Sequence, residues 1–237
     1  MAGAGGTGDL VRVDMHVHTA GSHDCLSDPE AVLERAAARG IDVVCITDHD
    51  ELAVALELAA RHPTRVIPGE EVKTREGVDI IGLFLRERIP GGTPARETCE
   101  RIRAQGGLVY VPHPFARGKG GEGRILPVID GLVDAVEGFN ARIHSQALND
   151  RAVAWARERA LPLGAGSDAH TLGEIGRARV VLPSFALEPR AFLEALGRGR
   201  IEGRLSPYTV HIASTLAKLK RRSPRAGDRR VARENRN

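Results

Sequence analysis

Five short motifs, spread along the chain, place histidine and carboxylate at the ends of apolar runs. They read Asp14-Met15-His16-Val17-His18, Thr47-Asp48-His49, Gly69-Glu70-Glu71, Pro112-His113-Pro114 and Gly166-Ser167-Asp168-Ala169-His170. The β-branched stretches 11–13, 43–46, 66–67 and 109–111 precede the first four and have the composition of buried strands. Strand after strand therefore delivers imidazole or carboxylate at its C-terminal end. In a barrel-like α/β fold those ends converge on one rim, where residues distant in sequence meet. Neutral imidazoles and anionic oxygens gathered in this number suit several divalent metal ions.

The spacing inside the motifs supports this. His16 and His18 stand at i and i+2, which on a strand puts both on one face and on a helix would splay them roughly 100–200° apart. Asp168 and His170 repeat that spacing after Gly164-Ala165-Gly166, whose small residues leave room for close backbone approach. Each motif alone is a weak signal, equally compatible with a wet strand face or a hydrogen-bonded core residue. Five independent strand ends with the same chemistry make chance an unattractive account. Asp48 is suited either to orient a ligating histidine or to cap the next helix.

Strand and helix alternate, which predicts a parallel α/β architecture in one domain. Strands are expected over 10–18, 41–48, 64–72, 79–85, 108–113, 133–139 and 162–166, with a final short one over 179–182; those at 64–72 and 79–85 are close enough for a hairpin. A capping box, Ser27-Asp28-Pro29-Glu30, opens a helix that Gly40 ends. Further helices are expected over 51–61, 94–105 (capped by Thr93), 145–159, 189–197 and 210–219. Residues 117–123 are glycine-rich and basic and read as a mobile loop.

At 237 residues and 42% hydrophobic, the chain suits one barrel with an ample core, and no apolar run approaches the ~20 residues that span a bilayer. Residues 1–9 are Gly/Ala-rich with neither a basic flank nor an apolar core and read as a flexible leader. Cys25, Cys45 and Cys99 are widely spaced with no CxxC pair, which predicts neither a disulfide framework nor a structural zinc site and fits a reducing cytoplasm. The net charge of +3 is unevenly placed. From Lys218 onward there are nine Lys/Arg against two Asp/Glu, so residues 218–237 form a +7 tail and residues 1–217 carry −4. Such a tail is read as solvated and disordered, able to touch nucleic acid weakly and without sequence specificity.

Taken in order, DxHxHT, SxD, ITDHD, GEE, PHP and GSDAH make the stretch from about residue 11 to 181 resemble the PHP (polymerase and histidinol phosphatase) superfamily. The resemblance implies a distorted seven-stranded (β/α) barrel over 10–217, with two or three divalent ions (manganese, zinc or iron) at its C-terminal rim. It assigns His16, His18 and Asp168 to one metal, Glu71 to a bridge between two, His113 to the metal sharing that bridge, and Asp24, His49 and His170 to another. His23 is the rival for Asp24. Two positions depart from the pattern: Asp79 stands where many phosphatase members carry histidine, and Asn140 where some supply another. Both are kept as candidate ligands.

The implied chemistry is phosphoester hydrolysis of a small phosphorylated metabolite or nucleotide by a metal-bridging hydroxide, with Glu71 and Asp168 as the catalytic core. Arg117, in the basic loop after His113, and Arg142, after Asn140, are the candidate phosphate clamps, because guanidinium offers bidentate donors. Alternatives are a nuclease guided by the tail and an amidohydrolase-like enzyme. The latter commonly needs a lysine bridge, and here Lys73 is off-register from Glu71. No membrane partner is expected.

Overall fold

The computed structural model describes residues 9–116, 123–143, 145–207, 210 and 215. Residues 1–8 of the expected leader, Arg117 with its loop, most of the helix expected over 210–219 and the basic tail lie outside them. Among the described residues no helix is long and apolar enough to cross a membrane.

The chain runs β1 (Leu10–Val17), α1 (Pro29–Ala38), β2 (Val43–His49), α2 (Ala53–Arg61), β3 (Val66–Lys73), β4 (Asp79–Leu83), α3 (Ala95–Ala104) and β5 (Leu108–Val111). It continues α4 (Leu126–Ile129), β6 (Ala135–Asn140), α5 (Gln146–Glu158), β7 (Leu163–Gly166), β8 (Ala178–Pro183), α6 (Pro189–Leu196) and β9 (Arg200–Gly203). One sheet holds all nine strands in the order β7-β6-β5-β4-β3-β2-β1-β8-β9. Past the end of β7 the chain turns onto β1: Val17 and Ala169 form a parallel bridge, with the His18 N–H on the Ala169 carbonyl at 3.0 Å and the Asp168 N–H on the His16 carbonyl at 2.8 Å. The seven strands β1–β7 thus close into a ring at the rim, as the barrel expectation requires. β8 and β9 add an antiparallel flap on the other half of β1.

Two expectations are corrected. The sheet is mixed rather than parallel: β4 returns on β3 in the hairpin expected of 64–72 and 79–85, and it runs antiparallel to β5 as well. The strand at β8 is not the last, because β9 follows it; Arg200-Ile201-Glu202-Gly203 has one large apolar residue and so no strand pattern to read. The caps also differ from expectation. Asp28, not Ser27, accepts the Ala31 N–H of α1 at 3.1 Å, and the N-terminal Ala95 N–H of α3 goes to Glu76 at 2.9 Å while Thr93 bonds the Pro90 carbonyl. In both cases a neighbouring carboxylate is the stronger acceptor for a helix N-terminus.

Two apolar layers follow from strand alternation. Val44, Ile46, Val66 and Val72 face outward under the helices. Val43, Cys45, Ile67, Ile81 and Tyr110 face inward and fill the ring. The inward parity continues up each strand, from Cys45 to Thr47 and His49, and from Ile67 to Gly69 and Glu71. β1 needs a correction to do the same. Val13 and Met15 point inward and Val17 outward, and the register shifts between Asp14 and Val17, a bulge that turns both histidines of the pair into the ring. At Gly166 a Cβ would collide with the His16 Cβ and lie 2.7 Å from a Glu137 oxygen, so the close approach expected of the small residues is real. Cys25, Cys45 and Cys99 are all buried, and Cys25 Sγ faces the His18 and His170 carbonyls at 3.5 and 3.1 Å.

Candidate metal centre

The inward-facing side chains end in a packed cluster at the rim. His16, His18, Asp24, Glu71, His113, Asp168 and His170 are all buried, and His49 is only partly exposed. Glu71 occupies the middle. Its Oε1 lies 3.1 Å from His113 Nε2, and its Oε2 lies 3.2 Å from His16 Nε2, 3.3 Å from His18 Nε2 and 3.2 Å from His49 Nδ1. Asp168 Oδ1 lies 3.7 Å from His16 Nε2 and 3.5 Å from His18 Nε2. Asp24 Oδ2 stands 3.2 Å from His170 Nε2 and 3.7 Å from His49 Nε2. Among the described residues, four triads bring their ligand atoms within 4.8 Å of one another: His18/His49/His170, His16/His113/Asp168, His16/His18/Glu71 and Glu71/Asp79/His113.

Whether these residues suit metal ions can be tested on their hydrogen bonds. The Nδ1 atom of His16 faces Glu137 Oε1 at 3.1 Å, that of His18 faces Ser22 Oγ at 3.0 Å, and that of His170 faces the Asp168 carbonyl at 2.9 Å. The Ser22 hydroxyl donates to Asp48 Oδ1 at 2.9 Å, so it receives, rather than gives, the bond from His18. In the neutral form of each ring Nδ1 carries the proton and Nε2 presents a lone pair. The two lone pairs of His16 and His18 meet at 3.1 Å beside two carboxylates, an arrangement that repels unless a cation sits among them. The donor set fits divalent ions, with imidazole and carboxylate as ligands and carboxylate, hydroxyl and carbonyl behind them.

The proton affinities say the same. Burial opposes a charge on His16, yet the carboxylates of Glu71, Asp168 and Glu137 outweigh it and hold its pKa well above the usual value. Burial likewise opposes protonation of His18, but bonding to Asp168 and Glu71 lifts it to about 9. Glu71 is held well below the carboxylate range despite its burial, because His16 and His49 surround it. Burial, reinforced by the positive field of His18, pushes His170 down to about 4. His16 and His18 thus draw positive charge toward the carboxylates, whereas burial holds His49 and His170 neutral. Backbone strain marks the same place: Asp168 and His113 have φ of 51° and 27°, left-handed values rare in non-glycine residues.

The other sequence candidates separate. His23 is exposed, its ring 5.3 Å from that of His49, whereas Asp24 is buried among the donors. Asp79 joins Glu71 and His113 and also pairs with Lys73 Nζ at 2.8 Å. Asn140 donates to Glu137 at 2.9 Å and to Asp168 at 3.3 Å, while its Oδ1 takes the Arg142 N–H; its contacts steer the carboxylates. Arg142, the other candidate clamp, is 5% exposed; its Nε pairs with Glu174 at 3.3 Å, and Glu174 also accepts the His170 N–H and the Thr171 hydroxyl. Arg117 lies outside the described residues. Asp48 orients His18 through Ser22.

Sequence reading missed Glu137, Ser22 and Glu174. Glu137 had a signal, a lone carboxylate in the apolar run Ala135-Val136-Glu137-Gly138-Phe139. Ser22 is the serine of SxD, a motif read only for its carboxylate, and Glu174 sits in a turn with no pattern.

A ring of parallel-rich strands with imidazole and carboxylate donors at its rim defines a metal-dependent hydrolase. The chain belongs to the PHP family: it matches the PHP domain over residues 14–98 and the PHP-associated segment over 146–201. An uncharacterized protein of Methanocaldococcus jannaschii is 35% identical over 197 residues, covering 78% of this chain and 79% of that one. A 3',5'-nucleoside bisphosphate phosphatase of Chromobacterium violaceum is 38% identical over 80 residues, 31% of this chain and 28% of the other. Among solved structures, a two-domain protein of Bacteroides vulgatus containing a predicted PHP-like metal-dependent phosphoesterase matches with a TM-score of 0.65 at 15% identity, over 89% of this chain and 70% of that one. A lesion-specific endonuclease, EndoQ of Pyrococcus furiosus, gives 0.62 at 16%, over 92% and 68%.

Proposed function

We propose that this protein hydrolyses a phosphate ester of a small phosphorylated metabolite or nucleotide, using two or three divalent ions held at the rim. The observation that carries the reading is Glu71, whose two oxygens address different donor groups, His113 on one side and His16, His18 and His49 on the other. A carboxylate so shared is suited to bridge two ions. His16, His18 and Asp168 would hold one; His113, with Asp79 beside it, the second; Asp24, His49 and His170 the third. Such ions, when bound, activate water and offset the charge of a phosphoryl group.

The chain's own residues supply orientation. Glu137 and Ser22 fix the tautomers of His16 and His18, and the Arg142–Glu174 pair anchors the turn that carries His170. A lysine-bridged amidohydrolase site fits less well, because Lys73 is turned to Asp79 and Glu71 fills the centre. A nuclease reading draws support from the +7 tail and from the endonuclease with a similar fold. Stripped protein reloaded with manganese, zinc or iron should release aryl phosphate from a monoester or diester, and Asp168→Ala should abolish release. No release from either ester, with metal still bound stoichiometrically, would overturn the proposal. A nuclease would degrade oligonucleotides and lose that activity, but not mononucleotide hydrolysis, when residues 218–237 are removed.

A further inference from the structure

On the outer side of β8 and β9, away from the metal donors, lies a second charged feature. A cavity of about 410 Å³ is lined by Arg39, Gly176, Arg177, Arg179, Glu202, Gly203 and Arg204. Its four arginines come from separate segments: the end of α1, the turn before β8, β8 itself and the residue after β9. Gly176, at φ +72°, turns the chain so closely past α1 that a Cβ there would lie 3.4 Å from that of Arg39.

The β8–β9 register shows which charges are matched. Arg179 faces Glu202 and binds it at 2.8 and 2.9 Å, and Glu202 also holds Arg200 at 2.8 Å. Two positions along the antiparallel pair, past Ala178 and Gly203, the Arg204 N–H bonds the Arg177 carbonyl at 2.9 Å, so two arginines lie across from each other. Like charges opposed across strands are unfavourable. Among the described residues no carboxylate pairs with Arg39, Arg177 or Arg204, and the buried Nε of Arg177 has no acceptor. This cation excess does not reflect a basic surface, since residues 1–217 carry a formal −4.

We infer that this groove is an anion-binding site, separate from the metal centre, that takes linked phosphate groups through the guanidiniums of Arg39, Arg177 and Arg204. Guanidinium recognises phosphate oxygens bidentately, and several converging from different segments match a chain of phosphates better than one isolated anion. A single-stranded oligonucleotide and a free polyphosphate both present that chemistry.

The test uses the full chain and R39Q/R204Q, two exposed side chains outside the metal site. Anisotropy of a labelled single-stranded oligonucleotide, measured against salt in metal-free protein, should show roughly tenfold weaker binding by the variant. Its log–log salt slope should also be shallower by about 1.4, two contacts at about 0.7 each. The basic tail contributes equally to both proteins, so the difference reports the groove. Inorganic tripolyphosphate should bind the wild type and not the variant; if only that difference appears, the ligand is a free polyphosphate and the groove stands. Equal affinity and slope for both ligands in the two proteins would overturn the inference. Unchanged metal-dependent hydrolysis of an aryl phosphate by R39Q/R204Q verifies folding and keeps this outcome independent of the metal centre.

Discussion

The metal rim and the arginine groove are opposite cases of charge imbalance. At the rim Asp24, Glu71, Asp168 and Glu137 are buried among imidazoles that are neutral when they act as ligands, so anion is in excess. In the groove three guanidiniums lack carboxylate partners among the described residues, so cation is in excess. Burial sets how much each imbalance matters. Water screens the groove, where a few unmatched charges cost little. At the rim desolvation is severe and an unneutralised carboxylate cluster is strongly unfavourable. Small buried ions are the matching answer at the rim, and a large exposed anion is the matching answer in the groove.

The comparison breaks most sharply at Glu71. Glu71→Gln keeps the size of the side chain and removes the central negative charge. We expect turnover to fall to background and metal stoichiometry, read by elemental analysis, to drop by at least one ion. Wild-type turnover in that variant would show that the central carboxylate is not the shared ligand. A smaller effect is expected behind the ligands. Glu137→Gln leaves an acceptor for His16 Nδ1 but removes the charge that strengthens its lone pair, which should lower metal affinity or activity about 10–100-fold. Metal titration separates the two possibilities, and an unchanged affinity with unchanged kcat would place Glu137 in a purely structural role.

The sequence already contained much of this rim, and the reasons are specific. His16, His18, His49, Glu71, His113, Asp168 and His170 follow apolar runs whose period marks strand ends, so their meeting was legible before any coordinates. Asp24 is one of two readings of its motif, and the fold buries its carboxylate among the donors while leaving His23 exposed. Glu71 is assigned by a resemblance alone; the structure adds a physical reason, since the inward parity from Ile67 reaches Gly69 and Glu71. The bulge in β1 was invisible, because Val13, Met15, His16 and His18 cannot share one face on a regular strand. β9 and the groove were equally hidden. Arg177 and Arg204 are separated in sequence by a helix and two strands, and only antiparallel pairing sets them opposite each other.

Glu70 supplies the control for the comparison, since it is one residue from Glu71 and on the outer face. It too is buried, but its neighbours are the Ile89 N–H at 2.9 Å and Arg88 Nε at 3.7 Å rather than a cluster of imidazoles. Burial pushes its pKa up from 4.5 to about 7, only partly offset by those two partners. The folded protein then holds a proton that the unfolded chain has released between roughly pH 4.5 and 7, so stability falls as pH rises through that window and levels off above it. Glutamine keeps the acceptor for Ile89 and removes the titration. Thermal unfolding of metal-free Glu70→Gln against wild type should show the variant gaining on the order of 1–2 kcal/mol between pH 5 and pH 8, or roughly 2–8 °C in Tm. Parallel pH profiles would mean that Arg88 neutralises Glu70 fully, and that an outward carboxylate on this strand is as well matched as the inward one.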